Sequence, residues 1–342
     1  MPLLAVAEEL RRRGHQVVFI GTRQGLEARL VPQAGFDIEW IEIGGLQRVG
    51  LRKALRTLWQ LPSAILRSRA ILRHRGVTAV LSLGGFVAGP VVAASVLCGV
   101  PLVAMEPNAL PGFTHRLAAR WVRAALLAFP ETARWFPEGR ARVAGVPVRA
   151  EFFQEPAREE TGPLTVLVTG GSQGSRTLNQ ATAASWPLFE KRGPEVHFRL
   201  QCGPAWEREM TEKLTASGIQ GSVEGFLEDM PAAFREADIV ISRSGGSTVA
   251  ELAASAKPSI LVPFPFAADD HQRRNAEAME RAGAARVVPN AEMDGERLWR
   301  EVSALAGEPD RRASMSRAAR LLARPDAARQ AAETLEGLPN AM

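Results

Sequence analysis

Acidic side chains are missing from one long stretch of this chain. Between Glu42 and Glu106 there is no aspartate or glutamate, whereas Arg48, Arg52, Lys53, Arg56, Arg67, Arg69, Arg73 and Arg75 all fall there. Cysteine is nearly absent as well. Cys98 and Cys202 are the two in 342 residues, which excludes a disulfide framework and points to a reducing compartment. The five histidines (15, 74, 115, 197 and 271) are scattered without ligand spacing, and no Asp-x-Asp occurs, so no metal site is expected. No Gly-x-Gly-x-x-Gly follows a strand, which argues against an NAD(P) oxidoreductase. There is no low-complexity tract and no signal peptide. Residues 77–105 carry no charge, but Gly84-Gly85, Gly89-Pro90 and Gly99-Val100-Pro101 cut them into pieces too short to cross a bilayer.

The remaining composition is that of an ordinary globular chain. Hydrophobic residues make up 46% and charged residues 23%, enough for two domains with cores of their own. A net charge of +5 suits nucleic acid, anionic lipid or a phosphorylated substrate equally. Helical and strand patterns alternate through the first half, which predicts a parallel sheet covered on both faces. Helices are expected near 3–13, 27–34, 51–75 (interrupted at Pro62), 90–98 and 114–120. Strands are expected near 16–20, 38–43, 79–83, 102–105, 126–129 and 141–143. From 129 to 163 prolines fall at 130, 137, 147, 156 and 163, so the domain boundary is placed at 148/149. A second alternating half follows, with strands near 165–169, 197–201, 239–242, 259–262 and 285–288. Residues 311–335 read as one last helix, able to pack back on the first domain. A doubly wound domain normally opens with a strand and a glycine-rich turn. This sequence opens inside the helix that should follow them, so that strand and turn are read as missing.

Two glycine-rich turns carry the chemistry. Thr169-Gly170-Gly171-Ser172-Gln173-Gly174-Ser175-Arg176 follows the apolar run 164–168, and Ser242-Arg243-Ser244-Gly245-Gly246-Ser247-Thr248 follows Ile239-Val240-Ile241. Each reads as strand, small-residue turn, helix start, an arrangement that aims backbone N–H groups at an anion. Two of them in one domain suggest a diphosphate. Glu251, one turn into the second helix, could reach ribose hydroxyls.

These turns, together with Leu178-Asn179-Gln180, Glu106-Pro107-Asn108…Pro111-Gly112, Ser82-Leu83-Gly84-Gly85-Phe86-Val87-Ala88-Gly89-Pro90 and Pro147-Val148-Arg149, resemble the MurG family over nearly the whole chain. The resemblance implies an α/β protein of GT-B type, two Rossmann-like doubly wound domains facing a cleft. Residues 1–148 would bind the acceptor and the membrane, and 149–342 the donor. It implies an inverting, metal-independent hexosyltransferase without a cofactor. GlcNAc would move from UDP-GlcNAc to undecaprenyl-pyrophosphoryl-MurNAc-pentapeptide (lipid I), giving lipid II for peptidoglycan. Donor contacts carried over are Asn108, Arg149, Ser172, Leu227 (through its backbone), Arg243, Gly246, Ser247, Thr248, Val249, Ala250, Glu251 and Gln272, with His271 a rival of Gln272. Ser172 reads equally as a helix N-cap. Other UDP-sugar enzymes of this fold, such as a glycolipid synthase or an epimerase, would share these motifs.

Three departures stand out. The family's first glycine-rich turn and its histidine are not in this sequence, so the catalytic base is unassigned and a chain that binds donor without transferring it is a second reading. His15 reads as structural or exposed, and Glu106 is a weak substitute as base. Met105 and Pro107 stand where members often have His and Gln, and Val146 where an Asn usually precedes Pro-Val-Arg.

The acid-free stretch interleaves its basic residues with Leu51, Leu55, Leu58, Trp59, Leu61, Ile65 and Leu66, the pattern of a membrane-surface helix. Arg52, Lys53, Arg56, Trp59, Ile65 and Arg69 are the expected contacts with an anionic bilayer. Together with the MurG resemblance, this implies a peripheral place on the cytoplasmic face of the bacterial inner membrane. Cell-wall synthesis proteins are candidate partners, and nucleic acid is not.

Overall fold

Short apolar runs alternating with amphipathic stretches can bury both patterns only by putting strands in a central sheet and helices over its faces. The computed structural model describes residues 2–25, 27–44, 51–154 and 162–339, and of residues 51–58 the backbone alone. The chain divides into two compact units, 1–148 with 326–342, and 149–325.

In the first unit the order is α1 (Pro2–Arg12), β1 (Val18–Gly21), α2 (Glu27–Gln33), β2 (Asp37–Trp40), α3 (Leu51–His74), β3 (Val80–Ser82), α4 (Ala88–Cys98), β4 (Leu102–Glu106), α5 (Phe113–Ala118), β5 (Ala124–Leu127) and β6 (Ala141–Val143). Strands β3-β4-β5-β6 form one parallel sheet in that order, and β1 pairs β2 in a second. Every residue of β4 is buried, because side chains leave it towards two apolar layers. Leu102 and Ala104 join Val80, Val92, Ala125 and Leu127 on one face. Val103 and Met105 join Val6, Leu126 and Ala144 on the other.

The second unit runs β7 (Leu164–Thr169), α6 (Arg176–Arg192), β8 (Val196–Gln201), α7 (Glu207–Ser217), β9 (Gly221–Glu224), α8 (Met230–Glu236), β10 (Ile239–Ser242), α9 (Gly246–Ala254), β11 (Ser259–Leu261), α10 (His271–Arg281), β12 (Ala285–Val287), α11 (Gly295–Gly307) and α12 (Pro309–Leu322). Its six strands lie in the order β12-β11-β10-β7-β8-β9, with every pair parallel. Numbered from β7, that is the doubly wound order 3-2-1-4-5-6, which reverses between its first and fourth strands. The reversal lies between β7 and β10, where Thr169 pairs with Ser242.

Two expectations are corrected, and one strand is added. Pro62 does not interrupt α3, which runs unbroken from Leu51 to His74. One missing backbone hydrogen bond is tolerated there because Ala64, Ser68, Ile71 and Leu72, at helical spacing, bury that face. β9 escaped the sequence reading, since Gly221-Ser222-Val223-Glu224 is a half-buried edge strand with one large apolar residue. Residues 311–335 are not one helix. Pro325 ends α12, and the chain restarts as α13 (Ala327–Glu336).

The two helices belong to different units. Met315 of α12 joins the core of the second unit, and Ser316 Oγ donates to the Ala256 carbonyl at 2.7 Å. Ala331 of α13 is fully buried against Val6, Val103 and Met105 of the first unit. Arg13 (3.0 Å) and His15 (2.9 Å) hold Glu336 at its end. Ala331→Asp is expected to destabilise the first unit by about 3 kcal/mol, the cost of burying a carboxylate without a partner. Urea unfolding followed by hydrogen exchange of the β4 and β5 amides checks this. Protection lost only in α12 and its neighbours would assign α13 to the wrong unit.

Candidate donor site in the second unit

Both glycine-rich turns leave the sheet where its strand order reverses. Adjacent strands there send their connections to opposite faces, which opens a crevice at the carboxyl ends of the strands. Because Thr169 is paired with Ser242, the two turns start side by side.

The first turn is fixed by close backbone packing. Gly174 has φ +73°, and a Cβ on it would come within 1.7 Å of the Cys202 carbonyl. Gly203, φ +89°, faces the Gln173 carbonyl in the same way, at 2.2 Å. No side chain fits at either position. Asn179 Nδ2 donates to the Cys202 carbonyl (2.9 Å), and Thr169 Oγ1 bonds Gln201 Oε1 (2.8 Å). Gln201 Nε2 then donates to the Gly225 carbonyl at 3.1 Å, which ties in the loop that carries Leu227. The N-cap of α6 is Ser175, whose Oγ accepts from the Leu178 amide, so the capping role considered for Ser172 is corrected. Ser172 stands three residues before Ser175, exposed at the tip of the turn, and is open to a ligand.

The second turn has the opposite character. Gly245 is the N-cap of α9 and offers no side chain, so the amides of Gly246, Ser247 and Thr248 have no intrahelical acceptor. Ser244 Oγ donates to the Gln272 carbonyl (2.8 Å), and Asn275 Nδ2 donates to the Ser244 carbonyl (3.0 Å), which fastens the turn to α10. Gln272 Oε1 accepts from the Phe264 amide at 3.0 Å, so the donor end of that side chain is its Nε2. His271 Nδ1 bonds the Ala268 carbonyl at 2.8 Å and must carry the proton there, which leaves Nε2 as the acceptor of the neutral ring. Just before α10, Asp269 (φ +52°) and Asp270 (φ +55°) are consecutive left-handed residues, a strain of about 1–3 kcal/mol each that the surrounding fold imposes.

Arg243 joins the two turns. Nη2 donates to Ser175 Oγ (2.7 Å), and Nη1 donates to the carbonyls of Val262 (2.9 Å) and Pro263 (3.2 Å) and to Asn290 Oδ1 (2.8 Å). Burial pulls the guanidinium down to about 10, and it stays charged at neutral pH. Among the described residues no carboxylate pairs with it. A cation therefore stands at the mouths of two helices whose dipoles also favour negative charge.

Glu251 is half-buried, and desolvation raises its carboxyl to about 7. The carboxyl of Glu251 thus lies in a low-dielectric part of the second unit. Val249 and Leu227 have buried side chains, so only their backbone can meet a ligand, while Ala250 is half-buried. Arg149 is exposed at the start of the second unit and acts electrostatically on Glu251. Among the described residues no three His, Cys, Asp or Glu side chains cluster so as to hold a metal ion.

Asn108 belongs to the first unit. Its amide and its Nδ2 both donate to Glu106 Oε1 (3.0 Å each), while Gly112 N (3.0 Å) and His115 Nδ1 (2.8 Å) bond Glu106 Oε2. Glu106 is 2% exposed with both oxygens committed, so its candidacy as the base is corrected to loop fastening. Ser175, Asn275, Asn290 and His115 were missed in the sequence. Ser175 was legible as a serine directly before a helix, whereas the other three gain meaning only from contacts distant in sequence.

The expected membrane contacts divide. Arg52, Lys53 and Arg56 have side chains outside the described residues. Trp59 is 84% exposed. Ile65 is turned instead towards the core beside Val80 and Leu102, and Arg69 is half-buried, because both lie near the buried face of α3. Leu66 is the exposed apolar neighbour.

Residues 1–127 match the glycosyltransferase family 28 N-terminal domain, and residues 165–331 match the family's C-terminal domain. A relative in Solibacter usitatus is 53% identical over 98% of this chain and 92% of its own length. The chain belongs to glycosyltransferase family 28. That relative is the UDP-N-acetylglucosamine–N-acetylmuramyl-(pentapeptide) pyrophosphoryl-undecaprenol N-acetylglucosamine transferase, and a protein of the same name in Myxococcus xanthus is 38% identical over 97% of this chain and 88% of its own. Among solved structures, MurG of Acinetobacter baumannii shares 29% identity with a TM-score of 0.81, over 98% of this chain and 95% of that one. The family 28 fold is thus the GT-B type, built from two Rossmann-like parallel-sheet domains. A UDP-GlcNAc 2-epimerase from Neisseria meningitidis, 13% identical with a TM-score of 0.69, shares the fold alone; the match covers 98% of this chain and 96% of that one.

Glu251 yields a pH prediction. A folded carboxyl raised to about 7, against an ordinary 4.5, contributes stability that is complete below pH 4.5 and lost as pH rises through 7. Thermal unfolding of Glu251→Gln should lack that slope, and at pH 8 the variant should melt above the parent. Equal melting profiles at all pH values would mean that the carboxyl is not desolvated.

Proposed function

We propose that this chain transfers N-acetylglucosamine from UDP-N-acetylglucosamine to a muramyl-pentapeptide pyrophosphoryl-undecaprenol acceptor, making the disaccharide-pentapeptide lipid of peptidoglycan. The observation that carries this reading is Arg243, which bridges two helix N-termini at the sheet's switch point and pairs with no carboxylate among the described residues. Transfer turns a diphosphate ester into free UDP, so negative charge grows on the leaving phosphate as the sugar departs. Preset amides of residues 246–248 and a buried guanidinium meet that charge without reorganising, as efficient electrostatic stabilisation requires. Ser172 is the donor contact of the first turn, Glu251 binds the ribose diol, the Leu227 backbone meets the uracil, and Gln272 meets the sugar hydroxyls. Asn108 of the first unit is carried over from the family resemblance as a further sugar contact.

Glu251 accepts from ribose hydroxyls as a carboxylate, so the donor should expel the proton that burial retains. Calorimetry of the full chain with UDP-N-acetylglucosamine, in buffers of different ionisation heat, should give selective binding over UDP-glucose and release of up to one proton below pH 7. Transfer to a radiolabelled acceptor lipid completes the test. Binding of NADH but no UDP-sugar would overturn the reading of both turns.

The acceptor's undecaprenol tail places the enzyme at a membrane surface. No described helix is long and apolar enough to cross a bilayer, and the reading is peripheral contact with the cytoplasmic leaflet. Trp59 and Leu66 of α3 stand exposed amid a stretch without acidic residues. Phe113 and Leu117 of α5 are exposed too, and the Arg120 guanidinium stacks 3.8 Å from the Trp121 ring. Each basic residue near an anionic leaflet adds about 1 kcal/mol. Co-sedimentation should show binding to phosphatidylglycerol vesicles that falls with salt and with Trp59→Asp. Equal binding to neutral phosphatidylcholine vesicles would rule out the electrostatic part.

A further inference from the structure

A buried chain of polar groups crosses the first unit beneath the loops that leave β3 and β4. It begins at the Glu106 carboxylate, which bonds His115 Nδ1 at 2.8 Å. It continues from His115 Nε2 to Ser82 Oγ at 3.1 Å and ends where Ser82 Oγ accepts from the Gly84 amide at 3.1 Å. Glu106, His115 and Ser82 are 2%, 0% and 5% exposed. The partners fix the tautomer. A carboxylate only accepts, so His115 Nδ1 carries the proton, and Nε2 of the neutral ring accepts from the Ser82 hydroxyl.

Acid, imidazole and serine in this order match the connectivity of a hydrolytic triad. Burial excludes that role, since no substrate carbonyl can reach a Ser82 Oγ sealed beneath its own loop. What the chain does is mechanical. It ties the Gly84-Gly85 turn, held at φ +82° and +84°, to the loop 106–112, and Thr114 Oγ1 adds a bond to the Gly85 carbonyl at 3.0 Å. A Cβ on Gly84 would lie 3.3 Å from His115 Cε1, so the turn rests directly on the imidazole. Both loops leave the carboxyl ends of neighbouring parallel strands, the end at which such sheets bind ligands.

We infer that His115 is a positioning residue for the acceptor: anchored on Glu106 through Nδ1, it sets the Gly84-Gly85 turn through Ser82 in the geometry that receives the pyrophosphoryl-linked sugar. The inference rests on the transferase reading above. All the donor contacts named there lie in the second unit except Asn108, so the partner substrate falls to these strand ends.

Two variants cut the same link from opposite sides. Ser82→Ala removes the hydroxyl and keeps the His115–Glu106 bond. His115→Asn keeps a donor for Glu106 but is too short to reach Ser82. Each should raise the KM for a short-chain acceptor analogue by about fivefold to tenfold, the worth of one buried hydrogen bond. The KM for UDP-N-acetylglucosamine and its calorimetric affinity should change less than about twofold, within the scatter of an uncoupled site. The double variant should be no worse than the poorer single one, because one bond is lost only once. A fall in kcat that tracks lost folded protein, with both KM values unchanged, would make the relay purely structural and sink the idea. So would equal rises in both KM values, or additive effects. Parent enzyme that binds donor but transfers nothing would instead overturn the transferase reading, and that outcome is visible before any variant is made.

Discussion

The pairing of β7 with β10 is the constraint on which the donor site depends. Parallel neighbours whose connections run to opposite faces cannot close over their own strand ends, and the crevice left there is filled by whatever the turns present. Here the turns present two kinds of chemistry. The first is rigid, because Gly174 and Gly203 each occupy space that any side chain would need for a carbonyl. The second is open, because Gly245 gives α9 no side-chain cap. Arg243, in the second turn, reaches the first through Ser175 Oγ, while three further bonds to Val262, Pro263 and Asn290 hold its side chain in place, and so it sets their spacing. A longer or shorter side chain would misplace one helix N-terminus relative to the other.

The site is unsettled electrostatically, and that suits a ligand carrying several negative charges. A buried guanidinium that pairs with no carboxylate among the described residues, uncapped amides, and a carboxyl whose pKa burial raises to about 7 each cost folding free energy. The left-handed pair Asp269-Asp270 adds backbone strain at the rim. Unfavourable terms gathered at one edge of an otherwise well-packed sheet are what a preorganised site is made of, since the ligand supplies the missing partners.

Much of this was legible in the sequence because it is local. The strand-turn-helix spelling of 164–176 and 239–251 names the turns outright, and alternation of strand and helix gives parallel sheets. What stayed hidden was of two kinds. Weak patterns misled: β9 has too little apolar content to announce itself, and Pro62 looked like a break where tertiary burial of Ala64, Ser68, Ile71 and Leu72 carries the helix through. Long-range polar pairings were invisible. His115 lies nine residues from Glu106 and thirty-three from Ser82, and nothing in one sequence relates them. Asn290 likewise meets Arg243 across 47 residues.

The return of α13 to the first unit has a consequence for synthesis. Residues 149–325 are continuous, so a growing chain holds the whole second unit once Pro325 is clear of the ribosome. The first unit, though begun earlier, lacks one wall until Ala327–Glu336 has emerged, and until then Val6, Val103 and Met105 face water or a substitute. The part of the protein made first is thus the part finished last, and its apolar sheet face is the natural point for a chaperone, or for the nascent chain's own aggregation, to act.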